Sequence, residues 1–168
     1  TCVEILALRE NDFSGPIRDS FGKWKFDLHQ SIVSFFSQLT FDFAPVWRAE
    51  NFDDLRFADF GSNVFNGPLP SSIFSLPDIQ ILYFFENQLT GSIPSNYADS
   101  PVLRDLYLHN NTLTGRVPAI SPSQLTVFTE FRIEHNEITG TMPASICALR
   151  GTDPTDELVT LLSVCDGP

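Results

Sequence analysis

The chain has 168 residues, of which 42% are apolar, so it is long enough to bury the core of one domain and too apolar to be disordered. Its formal net charge of −11 argues against nucleic acid and anionic lipid as partners; the acidity fits a basic protein or simply maintains solubility. No apolar run reaches the ~18 residues that a membrane span needs, and no signal peptide is visible. The sequence starts at Thr1 and not at Met, so we interpret the chain as a processed protein or a fragment.

Residues 1–22 contain the first, imperfect copy of a repeat, which we interpret as the first coil of a solenoid. Apolar residues precede an asparagine, and an apolar residue and a glycine follow it. Arg18 replaces the proline that ends every later copy. The copy consists of Leu6, Leu8, Asn11, Phe13, Gly15 and Ile17.

Residues 23–51 interrupt the repeat, because Asn11 and Asn63 are 52 residues apart and no comparable asparagine lies between them. Apolar residues at helical spacing predict a helix that begins after Asp27. They are Leu28, Ile32, Phe35, Phe36 and Leu39. We prefer a degenerate repeat with a longer helix, since it keeps the sheet continuous. The alternative is an insertion that leaves the solenoid between two coils, where it is a candidate contact site.

Residues 52–143 contain four full copies in register, and their asparagines are 24, 24 and 25 residues apart. Apolar residues lie three, five and eight positions before each asparagine, as in Leu103, Leu106 and Leu108 before Asn111. The alternation predicts a short strand whose inward side chains stack with those of the next coil. The asparagine is expected to hydrogen-bond backbone groups at a turn, and the glycine to permit a positive-φ bend. The predicted asparagine ladder is Asn11, Asn63, Asn87, Asn111 and Asn136.

The pattern LxxLxLxxNxLTGxIP resembles the leucine-rich repeats of plant receptor kinases and polygalacturonase-inhibiting proteins, and it is similar to that of algal secreted repeat proteins. The resemblance covers residues 3–22 and 52–150. It implies an α/β solenoid over residues 1–168, a right-handed superhelix with a concave parallel β-sheet and about 5–6 coils of about 24 residues. It also implies a second small sheet formed by the LTGxI segments.

Residues 144–168 lose the asparagine and the LTG motif, and we interpret them as a C-terminal cap that covers the last coil. The segment around Cys147 resembles the C-terminal ends of algal repeat proteins, and on that resemblance we predict a Cys147–Cys165 bridge. Its loop of about 18 residues is worth ~3 kcal/mol in the entropic account, and the bridge implies an oxidising compartment. Two buried free thiols are the alternative, and a partner for Cys2 is expected upstream.

The outward residues of the concave strands, two, four and six positions before each asparagine, form the candidate partner-binding face. Aromatic residues on adjacent strands cluster at its centre with acidic residues beside them, which is typical of an interface. The alternative is that strands favour aromatic residues and these rings only shield one another. The candidates are Phe57, Asp59, Tyr83, Phe85, Asp105, Tyr107, His109, Glu130, Arg132 and Glu134.

Other chemistry has little support in the sequence. His109 lacks a second histidine at ligand spacing, so neither a metal nor a cofactor is predicted. No catalytic motif is recognisable, and an open sheet provides no pocket that would tune a carboxylate, so no enzyme is predicted. Asn110-Asn111-Thr112 is a glycosylation sequon with Asn110 as its acceptor.

Two functions therefore remain. The first is a module that recognises a protein, peptide or glycan partner through the concave face. The second is a structural or accessory subunit held in a larger assembly, which the 16 phenylalanines and the irregular segment favour. We expect a secreted or extracellular protein, with the plastid lumen as the alternative. Ice binding would need a regular threonine array, which the second sheet lacks.

Overall fold

The computed structural model describes residues 4–17, 19, 54–119 and 128–148, and these residues form a solenoid with two parallel β-sheets. The predicted parallel-sheet solenoid is thereby confirmed. The strands in chain order are β1 (Ile5–Ala7), β2 (Ser14–Pro16), β3 (Phe57–Asp59), β4 (Val64–Pro68), β5 (Ile81–Tyr83), β6 (Gln88–Ser92), β7 (Asp105–Tyr107), β8 (Thr112–Gly115), β9 (Glu130–Arg132) and β10 (Glu137–Ile138).

Each repeat contributes one strand to each sheet. The odd-numbered strands form the first sheet in the order β1-β3-β5-β7-β9, and the even-numbered strands form the second in the order β2-β4-β6-β8-β10. Equivalent residues of neighbouring repeats pair directly, so Leu82 lies between Ala58 and Leu106. The fixed register therefore turns sequence positions into rows that run across the sheet.

The core is a continuous apolar column between the two sheets. The central residue of a first-sheet strand points into it, and Leu82 and Leu106 are completely buried. The rings of Phe60 and Phe84 stack between repeats with centroids 4.9 Å apart. A 3-10 helix (Ser71–Ser75) adds buried residues on a third side, and the short helix α1 (Ala144–Cys147) follows β10. Stacked repeats thus bury surface that no repeat could bury alone.

The asparagines tie each repeat to the repeat before it. The side-chain nitrogen of Asn87 donates to the carbonyl oxygens of Phe84 and Phe85 in its own repeat, at 3.2 and 3.0 Å. It also donates to Phe60 of the preceding repeat at 2.9 Å, while its side-chain oxygen accepts the N–H of Phe65 at 2.9 Å. The same pattern recurs at Asn63, Asn111 and Asn136. Buried backbone groups at the turn are thereby satisfied.

Each repeat turns at two left-handed positions. The glycine of the LTG motif has a positive φ, as predicted, and at Gly91 it is +77°. The residue before each asparagine is also left-handed, with a φ of +52° at Glu86. Few residues other than glycine and asparagine adopt this conformation freely. The hydrogen bonds of the asparagine that follows therefore help to hold the turn in this conformation.

The first two repeats stack directly on each other. β1 pairs with β3, so Leu6 lies beside Ala58, and the side chain of Asn63 donates to Leu8 at 2.8 Å. No place remains in the first sheet for a strand from residues 23–51 between these two strands. This direct pairing contradicts the preferred interpretation of that segment as a degenerate repeat that continues the sheet and agrees with the alternative of an insertion between two coils, although residues 23–51 themselves lie outside the described ones.

Asp19 is the last described residue before the insertion, and it is fixed to the second repeat. Its carboxylate accepts hydrogen bonds from the hydroxyl of Ser71 at 2.7 Å and from the N–H of Ser72 at 2.5 Å, at the start of the 3-10 helix. The helix predicted within 23–51 lies outside the described residues, as do Cys2 and Cys165. Within the described segments, no helix is long and apolar enough to cross a bilayer.

Candidate functional site

The outer face of the first sheet is organised in three rows by the strand register. The first row holds the first residue of each strand and the second row the third residue. The third row lies two positions further along the chain, where backbone hydrogen bonds continue the alignment. The first row is Ile5, Phe57, Ile81, Asp105 and Glu130, the second is Ala7, Asp59, Tyr83, Tyr107 and Arg132, and the third is Arg9, Gly61, Phe85, His109 and Glu134.

Tyr83 and Tyr107 form the centre of this face. Their rings stack with centroids 4.3 Å apart, and the guanidinium of Arg132 lies 4.9 Å from the centre of the Tyr107 ring. The Tyr107 hydroxyl donates to the carboxylate of Glu130, which also pairs with Arg132 at 3.1 Å. Phe57 meets Tyr83 edge to face at 5.5 Å. The predicted cluster of aromatic residues on adjacent strands therefore exists, with polar groups that hold its rings in place.

Phe85 is buried, with only 7% of its surface exposed, although its position had predicted an exposed ring. The ring lies against Gly61, whose missing side chain leaves the room it occupies. The His109 ring stacks on it at 5.0 Å with an interplanar angle of 2°, and Arg9 lies 5.1 Å from its centroid. Phe85 is therefore covered by its neighbours. Contact of this ring with a partner stays a prediction.

Asp59 is likewise buried, with 6% exposure, instead of exposed beside the rings as predicted. Its carboxylate accepts the N–H of Gly61 at 2.9 Å, and burial raises its pKa more than this bond and Arg9 lower it. Asp105 stays half-buried and accepts the hydroxyl of Thr129 at 2.5 Å. Of these acidic side chains, Asp59 is thus buried, whereas Asp105 remains partly exposed.

Carboxylates surround the tyrosine pair. The pKa of Tyr83 is raised first by burial and then by the charges of Asp105, Glu130 and Asp59, with only Arg132 acting in the opposite direction. Three negative groups and one positive group therefore act on the centre of the face. The surface around the rings is negative, in agreement with the charge of the whole chain.

His109, Arg132 and Glu134 carry buried polar atoms that are not satisfied. His109 Nδ1, Arg132 Nε and Glu134 Oε2 have no hydrogen-bond partner among the described residues. Burial lowers the pKa of His109, while the nearby charge of Glu134 opposes this. Each buried polar atom that lacks a partner costs about 1–3 kcal/mol. No three potential metal ligands cluster in the part of the chain that is described.

Asn110, the predicted glycosylation acceptor, lies on the turn directly after His109 of the third row. It is exposed and has a φ of +54°, a conformation that asparagine tolerates well. Thr112 of the sequon donates its hydroxyl to the Leu89 carbonyl at 2.8 Å. The turn presents the Asn110 side chain away from the core, while the neighbouring Asn111 is buried.

Several contributors to the face, Ile81 among them, were not among the predicted binding residues. Arg9 lies over Phe85, Gly61 makes room for that ring, and Ile5 is 66% exposed at the start of the first row. All of these residues stand at the outward positions of their repeats. The sequence did contain a signal for this arrangement. Gly61 is the one glycine in a row of large side chains, so it leaves space for a ring from the next strand.

Comparison with protein-family models and with curated protein sequences gives no match. Solved structures do match. The leucine-rich-repeat ectodomain of the receptor kinase GASSHO1/SCHENGEN3 from Arabidopsis thaliana, in complex with CASPARIAN STRIP INTEGRITY FACTOR 2, has a TM-score of 0.65 at 26% identity over 88% of this chain. The plant peptide hormone receptor RGFR1, in complex with RGF2, has a TM-score of 0.60 at 27% identity over 84%.

The BIR3–SERK2 complex from Arabidopsis thaliana contains a further similar chain, with a TM-score of 0.52 at 31% identity over 60% of this chain and 53% of that one. The chain covers only 14% of the GASSHO1/SCHENGEN3 ectodomain and 22% of RGFR1. The likeness therefore concerns the repeats themselves. It places the chain beside the repeat regions of plant receptor ectodomains, several of which were solved with bound peptides or protein partners.

Proposed function

We propose that this leucine-rich-repeat protein is a non-catalytic recognition module that binds a peptide or protein partner through the three rows of the first sheet. The observation that carries the proposal is the stack of Tyr83 and Tyr107 on adjacent strands, held by Arg132 and Glu130. Aromatic side chains fixed on a rigid sheet lose little entropy when a partner covers them, which makes them effective anchors.

The structural neighbours support a partner of this kind. RGFR1 is a peptide hormone receptor in complex with RGF2, and GASSHO1/SCHENGEN3 is in complex with CASPARIAN STRIP INTEGRITY FACTOR 2. Those statements concern the neighbours, and we extend them to this chain because its repeats resemble theirs and its half-buried Tyr83 and Tyr107 rings stack together on one sheet. We propose an extracellular location on the same comparison, which lends nothing to the plastid alternative.

The charge of the face favours a basic partner. Asp105, Glu130 and Glu134 lie beside the rings, and the whole chain has a net charge of −11. A field of one sign accelerates the approach of an oppositely charged partner and discriminates against acidic ones. Binding is therefore expected to weaken as the salt concentration rises.

Selection from a random peptide library, followed by calorimetry on the best synthetic peptide, tests the proposal. Tyr83→Ala and Tyr107→Ala are each expected to weaken binding by more than about 1 kcal/mol, since each removes a central anchor. Thr90→Ala, at an exposed position of β6 in the second sheet, is the matched control and is expected to leave the affinity unchanged. Unchanged affinity in both tyrosine variants, or no selected peptide at all, would contradict the proposal.

An accessory subunit of a larger assembly is the second candidate. The observation that favours it is the incompletely buried first repeat, in which Leu6, Leu8 and Ile17 are only partly covered and Ile5 is exposed. A permanent partner that covered this end would bury these side chains. This candidate expects the protein to migrate with a large complex in native extracts, and a free monomer there would count against it.

We also propose that Cys147 and Cys165 form a disulfide and that Asn110 is glycosylated, both of which suit an extracellular protein. Intact-mass measurement on protein from a eukaryotic secretory host tests both. Alkylation of the denatured chain without reductant should label one cysteine, whereas three labels would exclude the bridge. An endoglycosidase should reduce the mass by one glycan, and an unchanged mass would exclude modification of Asn110.

A further inference from the structure

The first row of the binding face changes character along the stack. Ile5, Phe57 and Ile81 come from the first three strands of the sheet, and Asp105 and Glu130 from the last two. Ile5 is 66% exposed and the other four are half-buried. One half of the row is therefore apolar and the other half acidic, with Tyr83 and Tyr107 beside the boundary.

Within the second and third rows, the charges beside the apolar half are paired or buried, whereas Glu4 and Arg56 are exposed one residue before Ile5 and Phe57, outside the three rows. The carboxylate of Asp59 is turned inward onto the N–H of Gly61. Arg9 lies over the Phe85 ring and pairs with Glu10 at 3.2 Å. A ligand that approaches this half meets chiefly aliphatic and aromatic surface.

The acidic half keeps an excess of negative charge. Asp105, Glu130 and Glu134 stand there against the guanidinium of Arg132, which pairs with Glu130 at 3.1 Å. Arg104 is exposed one residue before Asp105, outside the three rows. The carboxylate of Asp105 has no cationic partner among the described residues and accepts a hydrogen bond from the hydroxyl of Thr129.

We infer that the face selects a peptide segment in which apolar and basic residues are segregated, with the apolar part over Ile5, Phe57 and Ile81 and lysine or arginine over Asp105 and Glu130. The inference rests on the proposed function and adds the order of residues that the ligand must have. Strands lie ~4.8 Å apart, so five strands span ~19 Å, which is the length of about six residues of extended chain at ~3.3 Å each.

Three labelled peptides of identical composition test the inference, each with three valines, two lysines and serine spacers. In the first the valines precede the lysines, in the second this order is reversed, and in the third the two kinds alternate. Because the sheet does not fix the direction of the ligand, the better of the two segregated peptides is compared with the alternating one by fluorescence anisotropy. We expect the segregated peptide to bind at least about fivefold more tightly, since only this peptide places valines over the apolar half and lysines over the acidic half at the same time.

Variants of the chain then test which half of the first row binds which part of the peptide. Asp105→Asn keeps an acceptor for Thr129 and removes the charge, so it should weaken the segregated peptide about threefold and reduce the salt dependence of binding. Glu137→Gln makes the matched change on the exposed strand β10 of the second sheet and should have no effect. Ile5→Ser should weaken binding without changing its salt dependence.

Equal affinity of the three peptides would overturn the inference, as would the absence of binding by all of them or an Asp105→Asn variant that behaves like Glu137→Gln. These outcomes differ from failure of the proposed function, which is judged by the tyrosine variants against a freely selected peptide. If the tyrosines matter and the order of the residues does not, recognition stands and segregation is wrong.

Discussion

Gly61 controls how the rings of the first sheet are arranged. A Cβ atom at this position would lie 2.5 Å from Phe85 Cζ, well inside van der Waals contact. The Phe85 ring is held on its other sides by the His109 ring and by Arg9. A substitution at Gly61 therefore displaces a ring that several neighbours share, and the effect extends across the face.

Gly61→Ala is expected to destabilise the protein by about 1–2 kcal/mol, because the methyl group forces Phe85 out of its position. The measurement is urea unfolding of four proteins: the native chain, Gly61→Ala, Phe85→Ala and the double variant. In the Phe85→Ala background the ring is gone, so the alanine should cost much less, with a coupling above about 0.5 kcal/mol. Additive losses would show that the close approach is unimportant.

For single residues, the sequence predicted the place of a residue in the sheet better than it predicted the contacts of the side chain. Counting back from each asparagine placed Tyr83 and Tyr107 on adjacent strands, and they pair directly in the register. The same counting predicted an exposed Phe85, which is buried. The direction of that ring depends on the missing side chain of Gly61 in the preceding repeat, a relation between repeats that the pattern within one repeat does not contain.

The single repeat is held to its neighbour by its asparagine as well as by its apolar side chains. Asn111 donates to Leu108 and His109 in its own repeat and to Phe84 in the preceding one, and it accepts from Leu89. These bonds lie in a buried turn where water does not compete. The positions of these strands and turns could be predicted because each follows from the local spacing of apolar residues, asparagine and glycine.

Asn111→Asp is expected to lower the free energy of unfolding by about 3 kcal/mol or more, because a carboxylate cannot donate to three carbonyl oxygens and its charge is buried. Asn110→Asp makes the same chemical change at the next, exposed residue and should remain within about 0.5 kcal/mol of the native protein. Chemical denaturation of both variants provides the comparison. Similar losses in the two variants would rule out the proposed role of the ladder.

The whole stack is continuous across the insertion, since β1 pairs with β3 despite the 52 residues between Asn11 and Asn63. The sequence could not decide this point, because 52 residues accommodate either one extra degenerate coil or an insertion of similar length. Only the pairing of the flanking strands distinguishes the two arrangements. Apolar periodicity reports which side chains are buried, and it is silent on which strands are neighbours.

Removal of 28 residues from 20–53, which restores the 24-residue spacing of the other repeats, is expected to preserve both sheets. The shortened chain should keep its far-UV circular dichroism and a single cooperative thermal transition, since the repeats on either side of the deleted segment already pair directly through β1 and β3. Deletion of residues 72–99 is the control, because it removes β5 and β6 and should lower the transition temperature markedly. Loss of cooperativity in the first deletion would contradict direct stacking as a sufficient connection.

The hydrogen bonds of the asparagines make each repeat depend on the repeat that follows it. Each asparagine serves backbone groups of the repeat before it, so the side chain of Asn136 completes the turn that contains Leu108 and Leu113. Among the described residues, Asn11 donates to Leu8 and Arg9 of its own repeat. During synthesis on the ribosome, each repeat would therefore emerge unfinished and be completed only when its successor follows, so folding would lag one repeat behind the growing chain.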